Sequence, residues 1–177
     1  MQVSNIIKGI IVLCLCLMIS SSEFVHSFSV VNKTPTKKVD FQTIENEQYE
    51  LYMDSLYKPI ETFVAELTGY GGDCEGCSGI LACRPITNVF TDGIYFDDKE
   101  YGTVRVVAAD RKYPCGTIMK FTSSKLDDEP IVAVVMDRGG AIQDNRLDLL
   151  TESEAYSYKY VGRIYNLKVE VLRKGWK

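Results

Sequence analysis

Between residues 61 and 173 the apolar side chains come in short runs, each closed by Gly, Pro or Asp. In ETFVAELTGY, residues 61–70, Phe63, Ala65 and Leu67 recur at every second position, which is the period of a strand with one buried face. That run stops at GYGGDCEGCSG, a loop dense in glycine. TVRVVAAD, GTIMKF, PIVAVVMD and RIYNLKVEVL follow as further strands, and the stretch RPITNVFTDGIYFDDKEYG, residues 84–102, reads as irregular, an insertion or a lid. TESEAYSYKYVG has Thr151 and Glu154 in capping-box spacing and predicts a short helix. Upstream, VVNKTPTKKV reads as a linker. DFQTIENEQYELYMDSLY predicts a surface or spacer helix ending before Pro59, with a weak apolar face. Many short strands with one small helix point to a closed β-barrel rather than an open parallel sheet.

The first 27 residues change the picture. One Lys, an apolar run from Ile10 to Ile19 and then small polar residues have the layout of a secretory signal, with cleavage after Ser22 or Ser27. The run is short for a membrane span, although Ile6 and Ile7 extend it and leave an uncleaved anchor as the alternative. The domain reading is therefore a signal over residues 1–27, linker and helix over 28–60, and a barrel over 61–173. Localisation is expected to be secreted or cell-wall associated, with membrane contact only through that anchor. Cys14 and Cys16 lie inside the run as apolar filling.

Removing the signal narrows the chemistry. The one histidine, His26, sits at the cleavage region, so a mature chain has no imidazole for a Ser-His-Asp or Cys-His mechanism or for a zinc ligand. Carboxylates become the leading acid/base candidates, with lysine and tyrosine behind them. The net charge of −4 and the lack of a basic stripe argue against nucleic acid as a partner. No metal or organic cofactor is called for. A monomer or weak dimer is expected.

Cys74, Cys77, Cys83 and Cys115 remain after the signal, and an even number in an exported chain reads as two disulfides. Three pairings are open. Cys74 with Cys77 and Cys83 with Cys115 is favoured, since the close pair would bridge a very small loop. A four-thiolate zinc site competes poorly because a second close pair is missing.

Three aspartates stand out. Asp110 ends VRVVAAD, Asp137 ends PIVAVVMD, and Asp148 lies in NRLDLL, so a barrel could bring all three to one rim. Clustered carboxylates raise one another's pKa, and a raised carboxyl is what a general acid needs near neutral pH. For any single Asp at a strand end, capping a turn is the simpler role.

The run VVAAD, then YPCGT, AVVMDRGGAIQDNRLDLL and VGRIYNLKVEVL, resembles the three-aspartate or 3D domain, which is related to the catalytic barrel of membrane-bound lytic transglycosylase A. LTGYGGDCEGCSGILA resembles the opening segment of that domain. The resemblance spans about residues 64–172. It implies a mainly β fold, a six-stranded double-psi β-barrel with short helices and an N-terminal helical extension. The implied activity is cleavage of the β-1,4 bond between N-acetylmuramic acid and N-acetylglucosamine in peptidoglycan glycan strands, without water, to leave 1,6-anhydro products. Asp148 then matches the general acid that later serves as base, while Asp137 and Asp110 hold a network around it. Tyr70, Gly139, Gly140 and Arg146 are candidates for contact with substrate. Gly139 and Gly140 would let the turn adopt conformations closed to other residues and let a glycan approach the backbone. Arg146 would bind a substrate carboxylate or pair with an aspartate. Thr68 and Ser78 are weaker candidates, and Asp144 and Asn145 read as solvated turn residues.

The chain departs from the family pattern at Cys115, around Cys83, and at Arg138, where a small residue is usual. The first two changes suit each other as a bridge. A non-catalytic glycan-binding barrel of the expansin or barwin type is the leading alternative. A hydrolytic glycosidase and a purely interacting exported protein follow.

Overall fold

The structure is a computed structural model that describes residues 41–176; the expected signal and most of the linker lie outside them. A helix, α1 (Phe41–Leu56), opens the described chain and buries none of its residues. It ends three residues before Pro59, because a residue preceding proline is pushed out of the helical region. No helix among the described residues is long and apolar enough to cross a membrane.

Six strands close into a barrel: β1 (Glu61–Gly71), β5 (Gly102–Ala109), β6 (Ile118–Ser123), β7 (Asp127–Asp137), β8 (Arg146–Thr151) and β9 (Ile164–Arg173). The hydrogen-bonded order is β5-β7-β6-β9-β1-β8, and β8 pairs back onto β5. Two pairs, β1 with β8 and β5 with β7, run parallel, and the other pairs within the ring are antiparallel. This closed ring is the six-stranded barrel expected, and closure removes the sheet edges that would otherwise be left unpaired.

Alternation along each strand builds two apolar layers. Leu67, Val107, Met119, Val135, Leu149 and Val169 fill the barrel interior. Their neighbours in sequence, among them Val106, Ile118, Val134 and Leu150, point outwards and are equally buried. What covers them is the stretch between β1 and β5. It folds as β2 (Ile80–Leu81), β3 (Arg84–Asn88), a single helical turn α2 (Val89–Asp92) and β4 (Tyr95–Asp98), which joins the sheet beside β5. Leu81, Val89 and Ile94 pack from this cover onto the outer face. The segment expected to be irregular is thus ordered structure, and its few apolar residues are spaced too widely for either helix or strand periodicity to be read.

Both favoured disulfides are present. Cys74–Cys77 closes the loop after β1, and Cys83–Cys115 staples the cover to the turn before β6. The predicted helix after β8 is a short α3 (Glu154–Tyr156) continued by a π-helical turn (Ser157–Val161). Its N-cap is Ser153, whose hydroxyl accepts from the Tyr156 N–H, and not Thr151. Thr151 still belongs to β8, and its hydroxyl donates to the Tyr70 carbonyl.

Candidate functional site

The register of four strands assembles the site. Ala108 of β5 pairs with Asp137 of β7 on one side and with Asp148 of β8 on the other, and Asp148 pairs in turn with Thr68 of β1. Residues directly opposite in neighbouring strands share a face, so Asp137, Ala108, Asp148 and Thr68 form one row. It lies on the outer face, since Val107 and Leu149 beside it point inwards. Strict alternation after Val135 would aim Asp137 into the barrel. The register slips between Val107 and Ala108, so that Val135 opposes Val107 while Asp137 opposes Ala108. This β-bulge turns the carboxylate outwards, into the row.

Asp148 is half-buried, and Thr68 Oγ1 donates to its Oδ1 at 2.7 Å. Loss of solvent pushes its carboxyl up to about 6; the Thr68 hydrogen bond works against that rise, and the charges of Glu154 and Asp137 add to it. A carboxyl in that range carries a proton at mildly acidic pH and can both give and retake it.

Asp137 has a different environment. Its Oδ2 accepts from the Tyr70 hydroxyl at 2.6 Å, and its Oδ1 accepts from the backbone N–H of Ala82 at 2.9 Å and of Arg138 at 2.8 Å. All three partners are donors, so both oxygens are engaged as acceptors. Burial, followed by the charge and hydrogen bond of Asp137, raises the Tyr70 phenol well above its ordinary value, and Tyr70 stays a neutral donor.

Asp110 does not reach Asp148 through any hydrogen bond. Its Oδ1 accepts from the Lys112 N–H and its Oδ2 from the Asp144 N–H, each at 2.8 Å, and these bonds hold its carboxyl below the usual range. Asp110 therefore ties the end of β5 to the loop 138–145. Asp144, in the left-handed region at φ 57°, presents its N–H for this contact. Neither Gly139 nor Gly140 has positive φ, so the turn does not use the left-handed freedom of glycine at either position. A Cβ on Gly139 would fall 2.7 Å from the Ile142 side chain, whereas Gly140 faces open space. Both line a cavity of about 440 Å³ together with Asp110 and Gln143.

Arg146 is exposed and faces Glu66, with Nε 4.0 Å from its carboxylate, which Arg163 also engages. It pairs with a glutamate rather than with any of the three aspartates. Asn145 donates to the Val64 carbonyl and accepts from Lys112, so it fastens the loop to β1. Ser78 lines, with Tyr70 and Asp137, a cavity of about 220 Å³ under the cover.

Sequence reasoning undervalued two residues. Thr68 touches Asp148 only because of the parallel β1–β8 register, which no local motif encodes. Arg138 stands out in the sequence as a departure, and its guanidinium donates to the carbonyls of Ala109, Asp110 and Tyr113 at 2.7–2.8 Å. A small residue would leave those carbonyls without that partner. Glu154 also enters the site: its side chain accepts from the Gly71 N–H and its charge acts on Asp148. Gly71 has to be glycine here, since a Cβ would lie 2.1 Å from the Glu154 nitrogen. No cluster of three or more His, Cys, Asp or Glu able to hold a metal exists among the described residues.

Residues 105–172 match the 3D domain family. No curated protein matches the chain in sequence. Among solved structures, a Streptomyces papain inhibitor (SPI) is similar with a TM-score of 0.42 and 16% identity, over 65% of this chain and 97% of that one. The family match runs from within β5 to within β9 and takes in all three aspartates, so this chain carries a 3D domain, closed into a six-stranded barrel by a β1 strand that precedes the match.

Proposed function

We propose that the protein is an exported lytic transglycosylase that cuts the glycan strands of peptidoglycan, with Asp148 as its single acid and base. The observation that carries this reading is the contrast between two neighbouring carboxyls. Asp148 is pushed up to about 6 and its Oδ2 makes no hydrogen bond with any described residue, while Asp137 has both oxygens committed to three donors. A hydrolase of the ordinary kind needs a second carboxyl free to act as nucleophile or to activate water. Asp137 is not free to do either without breaking its bonds to Tyr70, Ala82 and Arg138.

In the proposed reaction Asp148 protonates the bridging glycosidic oxygen as the bond to the anomeric carbon breaks. The C6 hydroxyl of the same muramic acid attacks that carbon, and the Asp148 carboxylate takes the hydroxyl proton. The acid is restored, no water is consumed, and the product is a 1,6-anhydro ring. Thr68 orients the carboxyl, and Asp137 supplies negative charge in the row that favours the protonated state of Asp148 and then an oxocarbenium-like centre.

The test is mass spectrometry of soluble products from purified peptidoglycan treated with the protein and with Asp148→Asn. Anhydro-muropeptides from the parent and none from the variant are expected. Reducing-end products would replace the lytic reading by hydrolysis. No product from either protein, with binding to the glycan retained, would make the barrel a glycan-binding module.

A further inference from the structure

A cavity of about 980 Å³ lies away from Asp148, between β3, β4 and the C-terminal residues that follow β9. Its floor is aromatic: the rings of Phe96 and Trp176 sit 5.5 Å apart, and Trp176 lies against Gly116, where a Cβ would come 2.3 Å from the indole. The Arg84 guanidinium covers Phe96 at 5.3 Å from the ring centroid.

The charges of the groove are unevenly committed. Asp98 and Glu100 are bound by Arg173, Asp97 accepts from the Thr103 hydroxyl, and Asp92 accepts from the Asn88 N–H. The Arg84 and Lys99 side chains make no hydrogen bond or ion pair with any described residue. Arg173 thus pairs with Asp98 and Glu100, Asp92 and Asp97 are held by neutral donors, and Arg84 and Lys99 make no ion pair with any of these four acids.

The groove is also linked to the site along the chain. The Ala82 N–H bonds Asp137, the Cys83 N–H bonds the Met136 carbonyl at 3.0 Å, and Arg84 follows at once. Two residues of extended chain span roughly 7 Å, so a sugar held beside Asp137 would have a substituent of a few residues within reach of Arg84.

We propose that this groove is a subsite for the carboxylate-bearing stem peptide of peptidoglycan, with Arg84 and Lys99 taking its carboxylates and Phe96 and Trp176 packing against its small apolar side chains; the proposal rests on the lytic reading above. A bare glycan strand offers these two cations only the lactyl carboxylate of muramic acid, and it has no peptide side chains for the aromatic floor. A peptide with free carboxylates and methyl groups matches both the charge and the aromatic floor.

Trp176 is the only tryptophan in the chain and is 45% exposed, so its fluorescence reports this groove alone. The experiment titrates the intact protein with a soluble N-acetylmuramoyl tetrapeptide, which has no glycosidic bond to cleave, and with the same compound amidated at its carboxyls. A saturable change with the free acid is expected, weakened about tenfold by amidation and to a similar extent by Arg84→Ala or Lys99→Ala. Both side chains are exposed, and an unchanged thermal midpoint confirms that the variants fold. No saturable change, an equal response to both compounds, or indifference to both substitutions overturns the proposal. The readout does not involve cleavage, so a protein that yields no anhydro product but passes this titration refutes the lytic reading and leaves the groove as a peptide site.

Discussion

The hydrogen bond from Thr68 to Asp148 sets where the proposed acid loses its proton. Thr68 Oγ1 donates to Asp148 Oδ1 at 2.7 Å, and a donor to this oxygen favours the ionised carboxylate, so Thr68 opposes the rise caused by burial. Thr68→Val keeps the shape of the side chain and deletes the donor. A hydrogen bond to a charged group contributes about 1.5–3 kcal/mol, and each pH unit corresponds to about 1.4 kcal/mol. Both partners are half-buried, so the lower end applies and the carboxyl should move from about 6 to about 7. An essential acid is active while protonated. Activity is therefore retained below this pKa and lost as pH rises through it, and the alkaline limb of kcat/KM should shift upwards by about one pH unit in Thr68→Val. Thr68→Ser, which retains the hydroxyl, should leave the limb near 6. Release of soluble muropeptides measured from pH 4 to 9 gives the profile. A limb that stays in place or moves to lower pH in Thr68→Val would refute the idea that this bond tunes the acid.

The same carboxyl has a cost in stability. Its folded value of about 6 lies above the ordinary 3.8, so its contribution is fully present below 3.8 and is lost as pH rises through 6; Asp148→Asn should make the protein about 1–3 kcal/mol more stable at pH 7 in urea unfolding, with little difference at pH 3.5. Tyr70→Phe removes the 2.6 Å bond to Asp137 but leaves its two backbone donors, and should lower kcat about tenfold while KM changes little; a loss confined to KM would place Tyr70 in substrate binding instead. Reducing Cys83–Cys115, which spans 32 residues, should cost about 4 kcal/mol by chain entropy. It should also cut activity at temperatures where the barrel still holds, because the freed segment carries Ala82 onto Asp137; equal activity with and without reductant would separate the bridge from the site.

The barrel strands were legible because each is a short apolar run, alternating in residues 61–71 and unbroken in 131–136, bounded by Gly, Pro or Asp. The match to the 3D domain was legible too, through the segments that carry Asp110, Asp137 and Asp148. Their division of labour was not. Whether an aspartate at a strand end faces the core, a turn or a neighbour depends on register, and a single bulge between Val107 and Ala108 decides it for Asp137. Asp110, which has the same sequence context at a strand end, instead fastens a loop through two backbone N–H groups. The helix start illustrates the same limit: Thr151 and Glu154 have capping-box spacing, yet pairing of Thr151 with Gly71 in the parallel ladder moves the cap to Ser153.

Arg138 and the cover segment show how departures from a family pattern become structure. In this chain the end of β5 and the turn behind it expose the carbonyls of Ala109, Asp110 and Tyr113 in one place, and a guanidinium satisfies all three from a single position. The same residue offers its backbone N–H to Asp137, so one side chain anchors the rim while its own peptide group organises the row. Cys83 and Cys115 act in parallel from the other side. The bridge holds residues 82–84 against β7, where Ala82 completes the set of donors on Asp137 and Arg84 begins the groove. In the proposed reaction, a cover that tethers Asp137 through its backbone leaves Asp148 as the one aspartate of the row open to a proton exchange with substrate. The departures therefore do not weaken the role proposed for Asp148. They determine which neighbouring carboxylate is removed from competition with it.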